Sequence, residues 1–226
     1  MEEKYQKIKR IIEKELVGVD SAHNIEHVMR VYNLCLYLAK GEKDIDLDVL
    51  KTAALLHDIA RVKEDNDNTG KTCHARLSAK IAVIILKKFG YSKEKIDKIV
   101  NCILAHRYRA GVRPETKEAK ILFDADKLEC VGAIGVARSF VWVGRNYAKI
   151  YTDIDTNEYI KDNLGGKTNG RIQDKTKHSP YVEFETKLKF LPDKLYTQKA
   201  RQIAKERTKF FKNFLKRLEK EIKGKM

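Results

Sequence analysis

No stretch of this sequence is long and apolar enough to span a bilayer. The longest nearly uncharged run, Val131 to Gly144, is too short and carries Arg138. The opening residues, MEEKYQKIKR, lack the apolar core and cleavage site of a secretory signal. Cysteine is scarce: Cys35, Cys73, Cys102 and Cys130 form no CxxC pair. At least three of them fall on apolar helix faces, which suits reduced thiols and not a disulfide framework. The expectation is a cytoplasmic protein with no membrane partner. Proline occurs only three times, and aromatic residues are 8% of a chain whose apolar share, 42%, is ordinary for a globular protein. No aromatic residues interleave the lysines, so a base-stacking platform is not expected.

Positive charge is plentiful. Lys and Arg number 47 against 32 for Asp and Glu, a formal charge of +15. A basic surface attracts anions of many kinds, phosphorylated metabolites included. The lysines are scattered, as on the Lys- and Glu-rich surfaces of heat-adapted proteins, so no specific nucleic-acid partner is expected. The densest basic stretch, Lys199 to Lys225, also repeats Ile203, Phe210, Phe211, Phe214, Leu215, Leu218 and Ile222 at helical spacing. It reads as an amphipathic helix over 197–223 with a solvated basic face.

Helical periodicity continues almost throughout, without internal repeats. It predicts helices near 3–17, 24–40, 47–61, 74–89, 93–107, 115–130, 133–149, 181–190 and 197–223. Residues 62–73 and the longer run 151–180 are polar and turn-forming. A connection as long as the second is a candidate lid or disordered segment. The fold expected is all-α, one domain over 1–226, with an inserted loop around 151–180. The triplets Gly70-Lys71-Thr72 and Gly166-Lys167-Thr168 imitate the end of a phosphate-binding loop. Asp65 and Lys161 stand where its first glycine is required, so both are discarded.

The chemistry lies in the histidines. His27 shares a helical stripe with Val31, Leu34 and Leu38; His57 with Leu50, Ala53 and Ala54; His74 with Leu77, Ser78 and Ile81; His106 with Ile99, Cys102 and Ile103. Each points inward from a different helix. Burying four imidazoles together is costly unless something ties them, and a divalent metal does so. Asp58 closes the apolar run AALLHD, an odd place for a lone charge. In FDADKL, Asp124 and Asp126 lie on opposed sides of a helix, so only one is expected to face the core. Asp126 is chosen as the inward one and Asp124 read as a surface ion-pair partner.

His27, the His57-Asp58 pair and Asp126 in DADKL resemble, in order and flanks (HVMRV, AALLHDIAR), the HD-domain superfamily of metal-dependent phosphohydrolases. The resemblance covers about residues 20–140, and DADKLECVGAIGVARSF with the helical tail is most similar to small bacterial and archaeal members. It implies an HD-type helical bundle in which His27, His57, Asp58 and Asp126 hold one metal. It also implies that Arg61 and Lys127 contact phosphate. Arg61 lies one turn beyond His57, and guanidinium suits phosphate. Arg30 and Arg138 are further candidates, each with a capping or surface-pair reading beside it. His23, one turn before His27, is read as an orienting residue more readily than a ligand.

His74 and His106 depart from the simplest pattern and match the dinuclear branch, with Asp58 as bridge. The implied cofactors are therefore one or two divalent ions, from among Fe, Mn, Mg, Co and Ni. The reaction expected is hydrolysis of a small phosphorylated molecule, a nucleotide foremost, through hydroxide activated by the metal, with Asp58, Arg61 and Lys127 as the catalytic set. Two alternatives stand beside it: a phosphodiesterase on cyclic or dinucleoside substrates, and a non-enzymatic basic binding protein.

Overall fold

The computed structural model describes residues 2–67, 69, 71–107, 111–168 and 170–225. Gly70 of the first discarded triplet and Asn169 lie outside the described residues. Every regular element among those described is helical, as expected. The chain divides into two compact units, 1–126 and 127–226.

The first unit is organised around α3 (Leu47–Leu56), whose residues are apolar nearly all round and buried from Val49 to Leu56 apart from Lys51. A helix of that composition has to be central. It lies against α1 (Glu3–Glu15), α2 (Ile25–Ala39), α5 (His74–Lys88) and α6 (Lys93–Ala105). The starts are set by side-chain caps: Asn24 for α2, Asp46 for α3 and Ser92 for α6 each accept from N–H groups of the first turn. Asp48 then fastens three helices, accepting from Lys95 Nζ at 2.8 Å, Tyr5 Oη at 2.8 Å and Tyr91 Oη at 3.0 Å, with Lys4 Nζ at 2.5 Å.

Several boundaries differ from the sequence expectation. The helix expected over 47–61 ends at Leu56; a tight turn follows, and a short α4 (Arg61–Asp65) occupies ground assigned to the polar loop. That turn is held by Ile59 N–H on Leu56 O and Arg61 N–H on Asp58 O. It shifts Asp58 off the helical register of α3.

α7 (Lys117–Leu128) carries the last residues of the first unit and the first of the second. In the second unit α8 (Gly132–Arg145) packs on α12 (Gln198–Ile222), which takes the place expected for the C-terminal helix. Gly132 has φ +77°, and a Cβ there would come within 2.9 Å of the Arg207 side chain, which donates to Leu128 O at 2.9 Å. The connection over 151–180 contains an eight-residue helix, α9 (Thr156–Asn163), capped by Asp155. Tyr159, Leu164 and Val182 form its small core. Eight residues give too little periodicity to register in sequence. The chain then enters α10 (Pro180–Thr186) and α11 (Leu191–Lys194). A buried polar line joins the segment to α10: Asn163 Nδ2 donates to Tyr159 Oη at 2.8 Å, Tyr159 Oη meets His178 Nδ1 at 2.7 Å, and His178 Nε2 lies 3.2 Å from Glu183.

None of the four cysteines is in a disulfide; Cys35 and Cys102 are buried, while Cys73 and Cys130 are half-buried at helix ends. No helix among the described residues is long and apolar enough to cross a membrane.

Candidate metal centre

The inward-pointing histidines come from helix ends. His27 is in the first turn of α2, His57 directly follows α3, His74 opens α5 and His106 directly follows α6. Because α5 and α6 pack together, the start of one and the end of the other bring His74 Nε2 within 3.2 Å of His106 Nε2. All four imidazoles are at least 95% buried, and so is Asp58.

The carboxylate of Asp58 divides its neighbours. Its Oδ2 faces His27 Nε2 at 3.8 Å and His57 Nε2 at 3.9 Å; its Oδ1 faces His74 Nε2 at 3.2 Å and His106 Nε2 at 3.5 Å. Asp126 Oδ1 stands 3.5 Å from His27 Nε2. Two donor groups thus share one residue, His27–His57–Asp58 and Asp58–His74–His106.

Whether these groups fit metal ions turns on their protonation. His57 Nδ1 donates to Ala54 O at 2.8 Å, and His106 Nδ1 donates to Ile103 O at 2.5 Å. His74 Nδ1 lies 2.9 Å from the Glu64 carboxylate, which also accepts the His74 backbone N–H at 2.7 Å. Carbonyl and carboxylate oxygens can only accept, so the proton is on Nδ1 and the lone pair on Nε2, aimed at Asp58. Burial pushes the His57 and His74 imidazoles down from their ordinary range, towards the neutral form. Burial alone would raise Asp58, but His74, His57 and His106 outweigh it and hold its carboxyl well below the usual range. Neutral imidazole and ionised carboxylate are the forms that bind metal. His57 Nε2 is buried without a hydrogen-bond partner, an expensive atom unless an ion takes it up. The donor set therefore fits divalent ions.

Around the centre, Arg61 Nε pairs with Asp65 Oδ1 at 3.1 Å, and its Nη1 lies 3.2 Å from His74 Nδ1. Burial works against its charge, but Asp58, Asp65 and Glu64 more than compensate and keep the guanidinium charged. Arg30 is half-buried on the turn after His27, and Lys127 is half-buried next to Asp126. Arg138 lies 3.8 Å from the buried Glu129, as its ion-pair reading expects. His23 Nδ1 is 3.6 Å from Asp20, and its ring meets that of His27 edge-on at 5.8 Å.

One expectation is corrected. Asp124 is not at the surface: it is fully buried, while Asp126 is the more open of the two. Ile121, Leu122, Phe123, Ala125 and Leu128 are buried as well, and Asp126 and Lys127 are only half-exposed. The rule that only one of two residues 200° apart can face inward fails for a helix buried over most of its circumference. Sequence reasoning also missed Glu64 and Arg107. Glu64 accepts from Arg107 Nη1 at 2.6 Å and Nη2 at 2.8 Å as well as from His74, which ties His74 to the residue that follows His106. The only signal was an acid in a charged run, VKEDND, one turn past the His-Asp pair.

Residues 24–130 match the HD domain family. The Bacillus subtilis (strain 168) protein YpgQ is 31% identical over 223 residues, covering 97% of this chain and 94% of its own. The chain belongs to the HD-domain family. Its similarity extends to structure: YpgQ solved in complex with ADP superposes with a TM-score of 0.69 at 28% identity, over 96% of this chain and 97% of that one. A predicted HD superfamily hydrolase from an uncultured Thermotogales bacterium superposes with a TM-score of 0.62 at 25% identity, over 96% of this chain and 91% of that one. HD hydrolases are thus the structural company of this fold, and the paired His and Asp groups sit inside the HD-matched span.

Proposed function

We propose that this HD protein is a metal-dependent phosphohydrolase acting on a small phosphorylated molecule, a nucleotide. The observation that carries the reading is Asp58, with two buried imidazoles facing each of its oxygens. In this reading His27, His57, Asp58 and Asp126 hold one ion, and Asp58, His74 and His106 hold a second. Divalent ions in such a site supply an activated water and draw charge from phosphoryl oxygens.

The chain's own contribution is positional and electrostatic. The Nδ1–H bonds of His57, His74 and His106 keep each lone pair on Nε2, so the donors need no reordering. Arg61 supplies a fixed positive charge beside the second group, and Lys127 one beside Asp126, both suited to phosphate. The ADP held by YpgQ supports a nucleotide as the phosphorylated ligand here.

The test is hydrolysis of the common nucleotides by the purified protein with Mn²⁺, Mg²⁺, Co²⁺ or Ni²⁺, read as released phosphate or pyrophosphate. Release with at least one metal, abolished by chelator, is expected. No release from any nucleotide with any of these metals would remove the reading.

A further inference from the structure

The exposed face of α12 carries a feature unrelated to the metal centre. Arg201, Lys205, Lys209, Lys212, Lys216, Lys220 and Lys223 are all exposed and follow one another at steps of four, four, three, four, four and three. That averages close to the helical repeat, so the row runs nearly parallel to the axis for about 33 Å. It lies about a third of a turn around the helix from the side on which Ala204, Phe211 and Leu215 are buried.

The row is costly to the helix. Each member has its neighbour one turn away with the same charge, an arrangement that destabilises helices. Several lysines elsewhere on this protein are matched to acids at that spacing, as in Lys7–Glu3, Lys98–Glu94 and Lys189–Glu185. On the row, Lys205, Lys209, Lys212, Lys216 and Lys220 have no ion pair among the described residues, and only Lys223 is matched, to Glu219 and Asp153. The acids that remain on α12 do not relieve it: Glu221 is taken by Arg217, and Glu206 lies to the side. A balanced ion-pair surface therefore does not account for this face.

We infer that the row is a docking surface for a duplex nucleic acid, bound through its phosphates without regard to sequence. Lysine ammonium groups contact phosphates and read no bases. A duplex is already stiff over this length, so laying it along a rigid row orders nothing further. A single strand would have to be straightened, and the row offers no aromatic face to stack its bases. A lipid surface would require apolar residues interleaved with the charges, and the two exposed apolar residues of α12, Phe210 and Ile222, both lie off the row.

The experiment is fluorescence anisotropy of the full-length protein with a labelled duplex of arbitrary sequence, about 30 base pairs long, across about 50–200 mM salt. Contact with about three to five phosphates gives a slope of log Kobs against log salt of roughly −3 to −5. Lys205→Gln/Lys209→Gln/Lys212→Gln/Lys216→Gln should weaken binding at least about tenfold at the low-salt end and flatten the slope by about 2–4. Nucleotide hydrolysis and the helical circular dichroism should stay at parental values. A second variant, Lys7→Gln/Lys9→Gln/Lys98→Gln/Lys189→Gln, removes the same net charge elsewhere and should bind like the parent. Equal loss in both variants, or none in the first, overturns the proposal. So does tighter binding to a single strand of equal length, or binding to phosphatidylserine vesicles without binding to the duplex.

Discussion

Asp58 is a single residue asked to serve two groups of imidazoles, and its removal has to be felt by both. Asp58→Ala and His57→Ala should each abolish hydrolysis and lower bound metal while the circular dichroism stays helical. The double variant should lose no more than either single, because the residues act as one unit; full activity in either would remove the central claim. Arg61→Ala isolates the charge beside the centre. It should lower kcat/KM by an amount worth about 2–4 kcal/mol, the scale of a preorganised donor, with metal content by elemental analysis unchanged. Loss of metal with activity intact would make Arg61 a brace for His74 and not a phosphate ligand. At this scale the sequence told a great deal. Four inward histidines were legible because each shared its stripe with apolar residues, and periodicity alone says where a side chain points. Asp124 was not legible, because its burial depends on what surrounds α7 on its other side.

Among the elements, the packing of α5 on α6 decides whether there is a second group at all. Protein loaded with excess Mn²⁺ should hold two equivalents, and His74→Ala/His106→Ala one. Glu64→Gln should weaken the second equivalent selectively, since the amide no longer gives His74 and Arg107 a charged acceptor; a single equivalent in the parent would leave His74 and His106 as bystanders. Glu64 itself lay hidden because α4 is five residues long and the polar run VKEDND carries every mark of a turn. Short elements held by long-range contacts are where single-sequence reading runs out. Asp48 shows the same on the far end of α3. Burial would raise its carboxyl, but Lys4, Lys95 and Tyr5 outweigh that and hold it well below the ordinary range. A depressed carboxylate contributes stability that is complete above its unfolded value, about 3.9, and is lost as pH falls through the lower folded value. Asp48→Asn should therefore cost about 1–3 kcal/mol at neutral pH, a fall of several degrees in Tm. Parent and variant should converge on acidification below about pH 4. A gap that stays constant with pH would assign the effect to packing instead.

For the molecule as a whole, the all-helical class was plain from the repeat, and the identity of the C-terminal helix followed from its apolar positions. Net charge was read correctly as surface charge, yet its arrangement was not. Counting lysines gives +15, whereas a row on one side of α12 needs their angular positions and the absence of acids opposite them. The connection over 151–180 offers a last consequence. The Asn163 amide is fixed in orientation, since its Oδ1 accepts from Asp174 N–H at 2.7 Å. Its Nδ2 can only donate to Tyr159, and a phenol has one proton to pass on. Handing that proton to Nδ1 of His178 is the arrangement that leaves no buried donor unpaired, and it puts the ring's own proton on Nε2, facing Glu183. His178 is thus confined to one of its two tautomers by a residue fifteen positions earlier in the chain. In nitrogen-15 spectra its Nδ1 should resonate as a pyridine-type and its Nε2 as a pyrrole-type nitrogen, and Asn163→Ala should let the two forms mix.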